Sequence, residues 1–190
     1  MSRVTMVKLG GSLFDWKGLP GAWLNWRRSL DPGEMVWVVP GGGNAADCIR
    51  KAQKSQKFSD SLAHHMAIDS MLLLKPYLLE LFAQSKSANK WPTEIVPLKE
   101  MLANLDHFDG RLPENWSVTS DAITLRLADG HQVKKVVFLK SVGPKFSKDL
   151  DTPIARGWVD EWTSEFGPRR IADQGMAFEW VNLRRWLPKD

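Results

Sequence analysis

Two short apolar runs in this chain each end directly in a cluster of glycines. The first run leads into the segment Lys8-Leu9-Gly10-Gly11-Ser12, and the second leads into Pro40-Gly41-Gly42-Gly43-Asn44. This pattern is typical of a buried strand whose carboxyl end turns tightly into a helix. Glycine lets the backbone approach a ligand closely, and the amides at the start of the following helix favour an anion. The two turns, with a lysine at the first, predict a site for phosphate groups.

The order of apolar patterns predicts the general architecture. Strands are expected at residues 3–9, 35–39, 94–98 and 133–142, with one helix between the first two and two helices in each later interval. Such alternation predicts an α/β fold with a mainly parallel sheet covered on both faces. Ligands bind beyond the carboxyl ends of the strands in such sheets, and both glycine clusters fall there.

Two of the predicted helices carry further expectations. The segment 60–74 is apolar, and its expected core residues are Leu62, Met66, Met71 and Leu74. A later helix is expected to run to about residue 128, with Thr119 or Ser120 as its cap.

Composition narrows the classes of protein to which the chain can belong. Its 190 residues fit one domain. A single cysteine, Cys48, allows no internal disulfide, which suits a cytoplasmic location. No apolar stretch approaches the roughly 20 residues that span a bilayer, so we expect no membrane partner. The cysteine and four histidines are not spaced as a zinc site, and no protein-held metal is expected.

The charge balance bears on the kind of ligand. A net charge of +4 suits an anion, but the basic residues are scattered rather than gathered into a stripe. Six of the ten tryptophans fall mainly at helix-like spacing, which favours structural packing over base stacking: Trp23, Trp26, Trp158, Trp162, Trp180 and Trp186. We therefore expect a small anionic partner and no nucleic acid.

Neither glycine turn is a Walker or dinucleotide-binding pattern, because the lysine precedes the glycines and the spacing differs. Backbone amides and a fixed cation would nevertheless stabilise the charge of a phosphoryl group in transit. The alternatives are that Lys8 is a surface charge at a strand end and that 41–43 is a plain tight turn.

Three motifs point to a family when they are taken together. Residues 7–12, 39–43 and 119–122 read VKLGGS, VPGGG and TSDA in that order. Over about residues 3–142 the chain resembles the amino acid kinase superfamily, which includes acetylglutamate, aspartate, uridylate and isopentenyl phosphate kinases. The resemblance implies an open three-layer α/β/α sandwich in which ATP, with Mg²⁺, donates its γ-phosphate to a carboxylate or phosphate acceptor. It also implies a homo-oligomer, built here from a single domain, 1–190, whose nucleotide-side region at about 143–190 is short.

The resemblance also assigns roles to residues. It implies that Lys8 contacts the transferring phosphate and that Asp121 orients this lysine. Lys140 departs from the superfamily pattern, so it either supplies a second phosphate contact or marks a protein that no longer binds ATP in the usual way. The residues expected to bind phosphate or nucleotide are Gly10, Gly11, Ser12, Ser120 and Ser141. Those expected to bind the acceptor are Gly41, Gly42, Gly43, Asn44, Asp47, Arg50 and His65.

Two of these assignments have competing interpretations. Asp47 and Arg50 lie one helical turn apart, so they either meet an amine and a phosphate or form a surface ion pair. His65 either lies near the acceptor or packs as a satisfied histidine on an apolar helix.

Within the superfamily, the chain looks most like the small kinases of methanofuran synthesis, which phosphorylate an aminomethyl-furanmethyl phosphate. Residues 41–47, 65–68, 116–121 and 157–160 carry this likeness. It implies a role in making a one-carbon carrier.

One loop departs from the superfamily. Its members usually carry Thr-Asp-Val-Asp-Gly after the strand that here covers 136–139, whereas this chain reads Lys140-Ser141-Val142-Gly143. The alternative function is therefore a non-catalytic anion- or nucleotide-binding protein that keeps the kinase fold.

Overall fold

The computed structural model describes residues 4–84, 92–105 and 111–186, so Arg3, expected in the first strand, lies outside them. The strands are β1 (Val4–Leu9), β2 (Met35–Pro40), β3 (Thr93–Ile95), β4 (Lys135–Lys140), β5 (Phe146–Ser147) and β6 (Ala177–Asn182). The helices are α1 (Leu19–Arg28), α2 (Gly43–Gln56), α3 (Asp60–Met71), α4 (Lys75–Gln84), α5 (Leu98–Leu105), α6 (Ser120–Gly130), α7 (Asp151–Ala155) and α8 (Glu161–Asp173). Short 3-10 turns cover Gly11–Leu13 and Leu183–Arg185.

The six strands form one sheet in the order β3-β2-β1-β4-β6-β5. Every neighbouring pair is parallel except β5 and β6. The expectation of a mainly parallel sheet is therefore confirmed. In the register of β1 and β2, Lys8 pairs with Val39 and Leu9 pairs with Pro40. Because the strands end at the same level, the two glycine turns leave the sheet side by side.

Alternate residues of the central strands contribute to two separate apolar cores. Met6 and Phe138 lie in the core on one face, which also contains Ile123 of α6. Val7 lies in the core on the other face with Trp23 of α1. This alternation follows from the two-residue period of a strand. The result is a three-layer α/β/α sandwich, as expected.

Helix α3 does not bury the residues that its sequence suggested. Leu62 and Met66 are 50% and 38% exposed, and Leu74, beyond the helix, is 39% exposed. Met71 is buried as expected, together with Ala63, His64 and Ile68. The helix is apolar on both sides, so its hydrophobic pattern did not reveal which side packs against the protein.

One other boundary differs from expectation, and one agrees in position but not in its hydrogen bonding. Strand β3 ends at Ile95, and Leu98 begins α5 rather than closing a strand. Thr119 occupies the cap position of α6, but its side chain makes no capping hydrogen bond. Among the described residues, every helix is too short or too polar to span a lipid bilayer.

Candidate active site

The two glycine turns converge, as the sequence predicted. An ideal Cβ built on Gly11 would lie 2.2 Å from the backbone nitrogen of Gly43, and one built on Gly41 would lie 2.5 Å from the nitrogen of Gly11. Gly43 also has a φ of 53°, in the left-handed region that favours glycine. The close approach therefore depends on glycine at both turns.

A buried carboxylate lies between two lysines beside these turns. Asp121 Oδ1 is 2.9 Å from Lys8 Nζ, and Asp121 Oδ2 is 2.6 Å from Lys140 Nζ. Lys8 and Lys140 come from the carboxyl ends of the adjacent strands β1 and β4, and Asp121 comes from the first turn of α6. The lysine and aspartate side chains are all at most 10% exposed. The predicted contact between Asp121 and Lys8 is present, and Lys140 joins it.

Burial and charge act in opposite directions on these groups. Burial alone would raise the pKa of Asp121, but the ammonium groups of Lys140 and Lys8 hold that pKa below its ordinary value. Burial lowers the pKa of Lys140 to about 8, against the attraction of Asp121 and with the added repulsion of Lys8. Asp121 is consequently an anion at neutral pH and acts as a counterion, not as a proton acceptor.

The lysines and both turns line a cavity of about 420 Å³. Most of the predicted site residues lie in its wall: Lys8, Gly11, Ser12, Gly41, Gly42, Gly43, Asn44, Asp47, Arg50, Ser120, Lys140 and Ser141. Three predicted residues, Gly10, His65 and Asp121, are not in the wall. Gly10 instead donates its N–H to the carbonyl oxygen of Leu139 at 2.8 Å, which joins the first turn to β4.

Polar groups surround the cavity near the strand ends. The hydroxyl oxygens of Ser12 and Ser141 are 2.7 Å apart and link the first glycine turn to the end of β4. Arg50 donates to Asp47 at 2.7 Å, and its guanidinium lies 4.3 Å from the ring centre of Trp116. The ion pair considered from the sequence is therefore present, and both of its members also line the cavity.

The histidine in the cavity wall is His64, not His65. His65 is exposed and lies 3.5 Å from a carboxylate oxygen of Glu114. It lines a second cavity of about 370 Å³, and His64 lines both. Burial lowers the pKa of His64, which favours the neutral imidazole at neutral pH.

Several cavity residues were missed from the sequence. On α3, four wall residues follow the helical spacing i, i+3, i+4, i+7: His64, Ala67, Ile68 and Met71. Because α3 is apolar on both sides, this stripe does not stand out in the sequence. Trp116 and Trp158 also line the cavity. They lie in two segments that carry the likeness to the methanofuran kinases, 116–121 and 157–160, but they were not assigned to the site.

Comparison with known proteins finds a similar kinase. No family model matches the chain. It is 28% identical over 153 residues to the [5-(aminomethyl)furan-3-yl]methyl phosphate kinase of Methanocaldococcus jannaschii, covering 75% of this chain and 68% of the relative.

Solved structures with a similar fold include two kinases. The uridylate kinase of Archaeoglobus fulgidus has a TM-score of 0.58 and 15% identity, covering 93% of this chain and 89% of that one. The UMP kinase of Ureaplasma parvum has a TM-score of 0.60 and 11% identity, covering 99% and 92%. These similarities confirm the resemblance to the amino acid kinase superfamily that the sequence motifs predicted, and the solved structures confirm the shared fold.

Proposed function

We propose that this protein is an ATP-dependent small-molecule kinase whose acceptor is an aminomethylfuran phosphate. This is the acceptor for which the similar kinase of M. jannaschii is named. The product would be the corresponding diphosphate, an intermediate of a methanofuran-type one-carbon carrier. Kinase relatives support the general activity, and the geometry of the cavity supports an acceptor that carries a phosphate.

The observation that carries the proposal is the pair of ammonium groups held on one buried carboxylate. Lys8, Lys140 and Asp121 together carry one net positive charge at neutral pH, in a wall that also contains glycine backbone. Phosphoryl transfer spreads negative charge over the oxygens of the moving group, and catalysis consists mainly of positioning and charge stabilisation. A fixed cationic wall meets both requirements.

In the proposed reaction, an oxygen of the acceptor phosphate forms a bond to the γ-phosphorus of ATP. The bond from that phosphorus to the bridging oxygen breaks, and ADP leaves with the electron pair. Lys8 and Lys140 stabilise the charge of the phosphoryl group in transit. An ionised acceptor has no proton to give up, so the reaction needs no general base. This agrees with a site whose central carboxylate, Asp121, is occupied by two ammonium groups.

The residues fit the phosphates of ATP through the lysines, the glycine amides and the hydroxyls of Ser12 and Ser141. Mg²⁺ would neutralise charge on the nucleotide phosphates when bound. Within residues 4–84, 92–105 and 111–186, no three His, Cys, Asp or Glu side chains are grouped to hold a metal. We therefore assign its ligands to the phosphates and water, which Mg²⁺ commonly retains.

Further residues of the cavity wall suit the rest of the proposed acceptor. Ile68, Met71 and Ile123 provide apolar wall against which a small ring can pack. Asp47 and Arg50 offer a carboxylate for an ammonium group and a guanidinium for a phosphate. In this proposal, their ion pair opens when the acceptor binds.

The test is to incubate the full chain with ATP, Mg²⁺ and one candidate acceptor at a time, and to follow ADP release and the ³¹P spectrum. Aminomethylfuranmethyl phosphate should yield a diphosphate signal that grows in step with ADP. Transfer to UMP alone would overturn the proposed acceptor but not the kinase activity. Calorimetric binding of ATP without transfer to any acceptor would favour the non-catalytic alternative.

We also propose that the protein is a homo-oligomer, as the resemblance implied. Three apolar side chains of α3, α4 and the segment between them support this: Leu62, Leu73 and Leu79 are 50%, 65% and 48% exposed. Large exposed apolar side chains commonly mark interfaces when they form a patch. Light scattering should give a mass that is a multiple of 21.5 kDa. A mass of one chain at micromolar concentration would contradict this proposal.

A further inference from the structure

The amino end of α6 is held by Asp160, a residue 38 to 41 positions further along the chain. Asp160 Oδ2 accepts hydrogen bonds from the N–H and the hydroxyl of Thr119, both at 2.8 Å, and from the N–H of Ala122 at 3.1 Å. Its Oδ1 accepts from the N–H of Thr163 at 2.7 Å, in the first turn of α8. One carboxylate therefore caps two helices.

The two residues of α6 and its cap that donate to Asp160 flank Asp121 in the sequence. Thr119 and Ala122 lie on either side of the dipeptide Ser120-Asp121, so their hydrogen bonds fix the backbone from which the Asp121 side chain projects. A negative group at a helix amino terminus is also stabilised by the helix dipole. These hydrogen bonds therefore hold the start of α6 in the position from which Asp121 contacts both lysines.

The loop that contains Asp160 also contacts one of those lysines directly. The carbonyl oxygen of Trp158 accepts a hydrogen bond from Lys140 Nζ at 2.9 Å. The Trp158 ring stacks on Trp180, with ring centres 6.1 Å apart. The loop 157–160 therefore holds both the helix of Asp121 and the ammonium of Lys140, while Asp160 itself is absent from the cavity wall.

We propose that Asp160 is a positioning residue of the phosphoryl-transfer site, which fixes Asp121 between Lys8 and Lys140 without touching a substrate. This inference rests on the proposed kinase function for its catalytic consequence, but not for its geometry. An ordinary helix cap would contribute to stability alone. A positioning residue also sets the distance from Asp121 to Lys140, and this distance affects the ionisation of the lysine.

The two roles predict different behaviour of Lys140. The charged groups that act on its ammonium are Asp121, which favours the protonated form, and Lys8, which opposes it. In Asp160→Ala the start of α6 loosens and Asp121 moves away, whereas Lys140 remains at the end of β4 near the Trp180 ring. The Lys140 ammonium then stays buried but has lost the nearby charge of Asp121. The pKa of Lys140 should consequently fall below the value of about 8 in the parent protein.

The experiment is an NMR titration of lysine ¹³Cε signals in the full chain, with the Lys140 signal assigned from Lys140→Arg. Asp160→Ala should lower the pKa of Lys140 by about half a unit or more. The matched control is Asp149→Ala, which deletes a carboxylate hydrogen bond of 3.2 Å to the N–H of Asp151 at the start of α7. That control should leave the titration unchanged. An unchanged or raised pKa of Lys140 in a folded Asp160→Ala protein would overturn the inference.

Kinetics provide the second measurement. Asp160→Ala should lower kcat about 10- to 100-fold, with a smaller change in KM for ATP. Asp160→Asn keeps one acceptor oxygen and should restore part of both kcat and the pKa. If Asp160→Ala does not fold, Asp160→Asn is the variant that tests the inference. A titration of Lys140 and a kcat equal to those of the parent protein would then contradict the role of the Asp160 carboxylate. A parent protein without kinase activity would refute the proposed function, and the titration would still test Asp160.

Discussion

Gly11 and Gly43 approach so closely that an ideal Cβ on Gly11 would lie 2.2 Å from the nitrogen and 2.5 Å from the Cα of Gly43. Both neighbouring atoms belong to backbone, so no side-chain rotation relieves the overlap. We expect Gly11→Ala to push the two turns apart and to lower kcat/KM at least about 100-fold. Steady-state assays of ADP release would measure this loss.

The control for that change is Gly21→Ala in α1, where an added Cβ meets no atom within 4 Å. Alanine favours the helix over glycine by roughly 0.5–1 kcal/mol, so Tm should rise slightly and kinase activity should persist. If Gly11→Ala retained parent activity, contact between the turns would have no importance for the site.

Replacing Lys8 by alanine removes one of the two cations on Asp121. By comparison with the loss of one transition-state donor, turnover should fall about 10²–10³-fold. The buried Asp121 keeps Lys140 as a partner at 2.6 Å, so the fold should survive. The exposed Lys17→Ala is the control and should turn over ATP at the parent rate. Equal turnover of ATP by Lys8→Ala and Lys17→Ala would show that Lys8 has no role in catalysis.

The sheet and the glycine turns were predictable because each depends on local sequence. The alternation of strands and helices indicates a parallel sheet, and the carboxyl ends of adjacent parallel strands meet at one edge. This accounts for the convergence of Gly11 and Gly43. The resemblance to kinases further suggested the pairing of Asp121 with Lys8, which the structure contains.

Other parts of the site depend on contacts that local sequence does not encode. His64 and His65 are neighbours on α3 and point in different directions from the helix, so only His64 reaches the cavity of the site. Tertiary packing decides which side of the helix faces the cavity. Asp160 reaches Thr119 across 41 residues, and no spacing rule predicts such a cap. The sequence offered Thr119 or Ser120 for this role because local capping is the commoner arrangement.

The pH dependence of kcat should reflect the deprotonation of Lys140. Its pKa is lowered to about 8, so the ammonium is present below this pH and is lost above it. If its charge stabilises the moving phosphoryl group, kcat should decline as the pH rises from about 7 to about 9, with the midpoint near 8. Lys140→Arg keeps a positive charge at alkaline pH, so this decline should disappear even if the overall rate is lower. A decline of equal position and size in Lys140→Arg would assign it to another group.

Arg27 is a buried residue of α1 that binds the chain where β2 and β3 begin, at the end of these strands opposite the glycine turns. Its side chain is fully buried. Arg27 Nη2 donates hydrogen bonds to the carbonyl oxygens of Glu34 at 2.5 Å and Pro92 at 3.2 Å. Burial lowers its pKa to about 10, and the nearby Glu34 counteracts part of the fall, so the guanidinium stays charged at neutral pH. Arg27 thereby connects α1 to the residues preceding β2 and β3.

Arg27→Ala should destabilise the protein without altering the lysine cluster. It leaves two carbonyl oxygens without this donor and creates a cavity, which together should lower the free energy of unfolding by about 2–4 kcal/mol. Arg28→Ala, an exposed change in the same helix, should lower it by less than about 0.5 kcal/mol. Urea unfolding followed by tryptophan fluorescence would measure both values. Equal midpoints for the two variants would show that the buried guanidinium contributes no more to stability than its exposed neighbour.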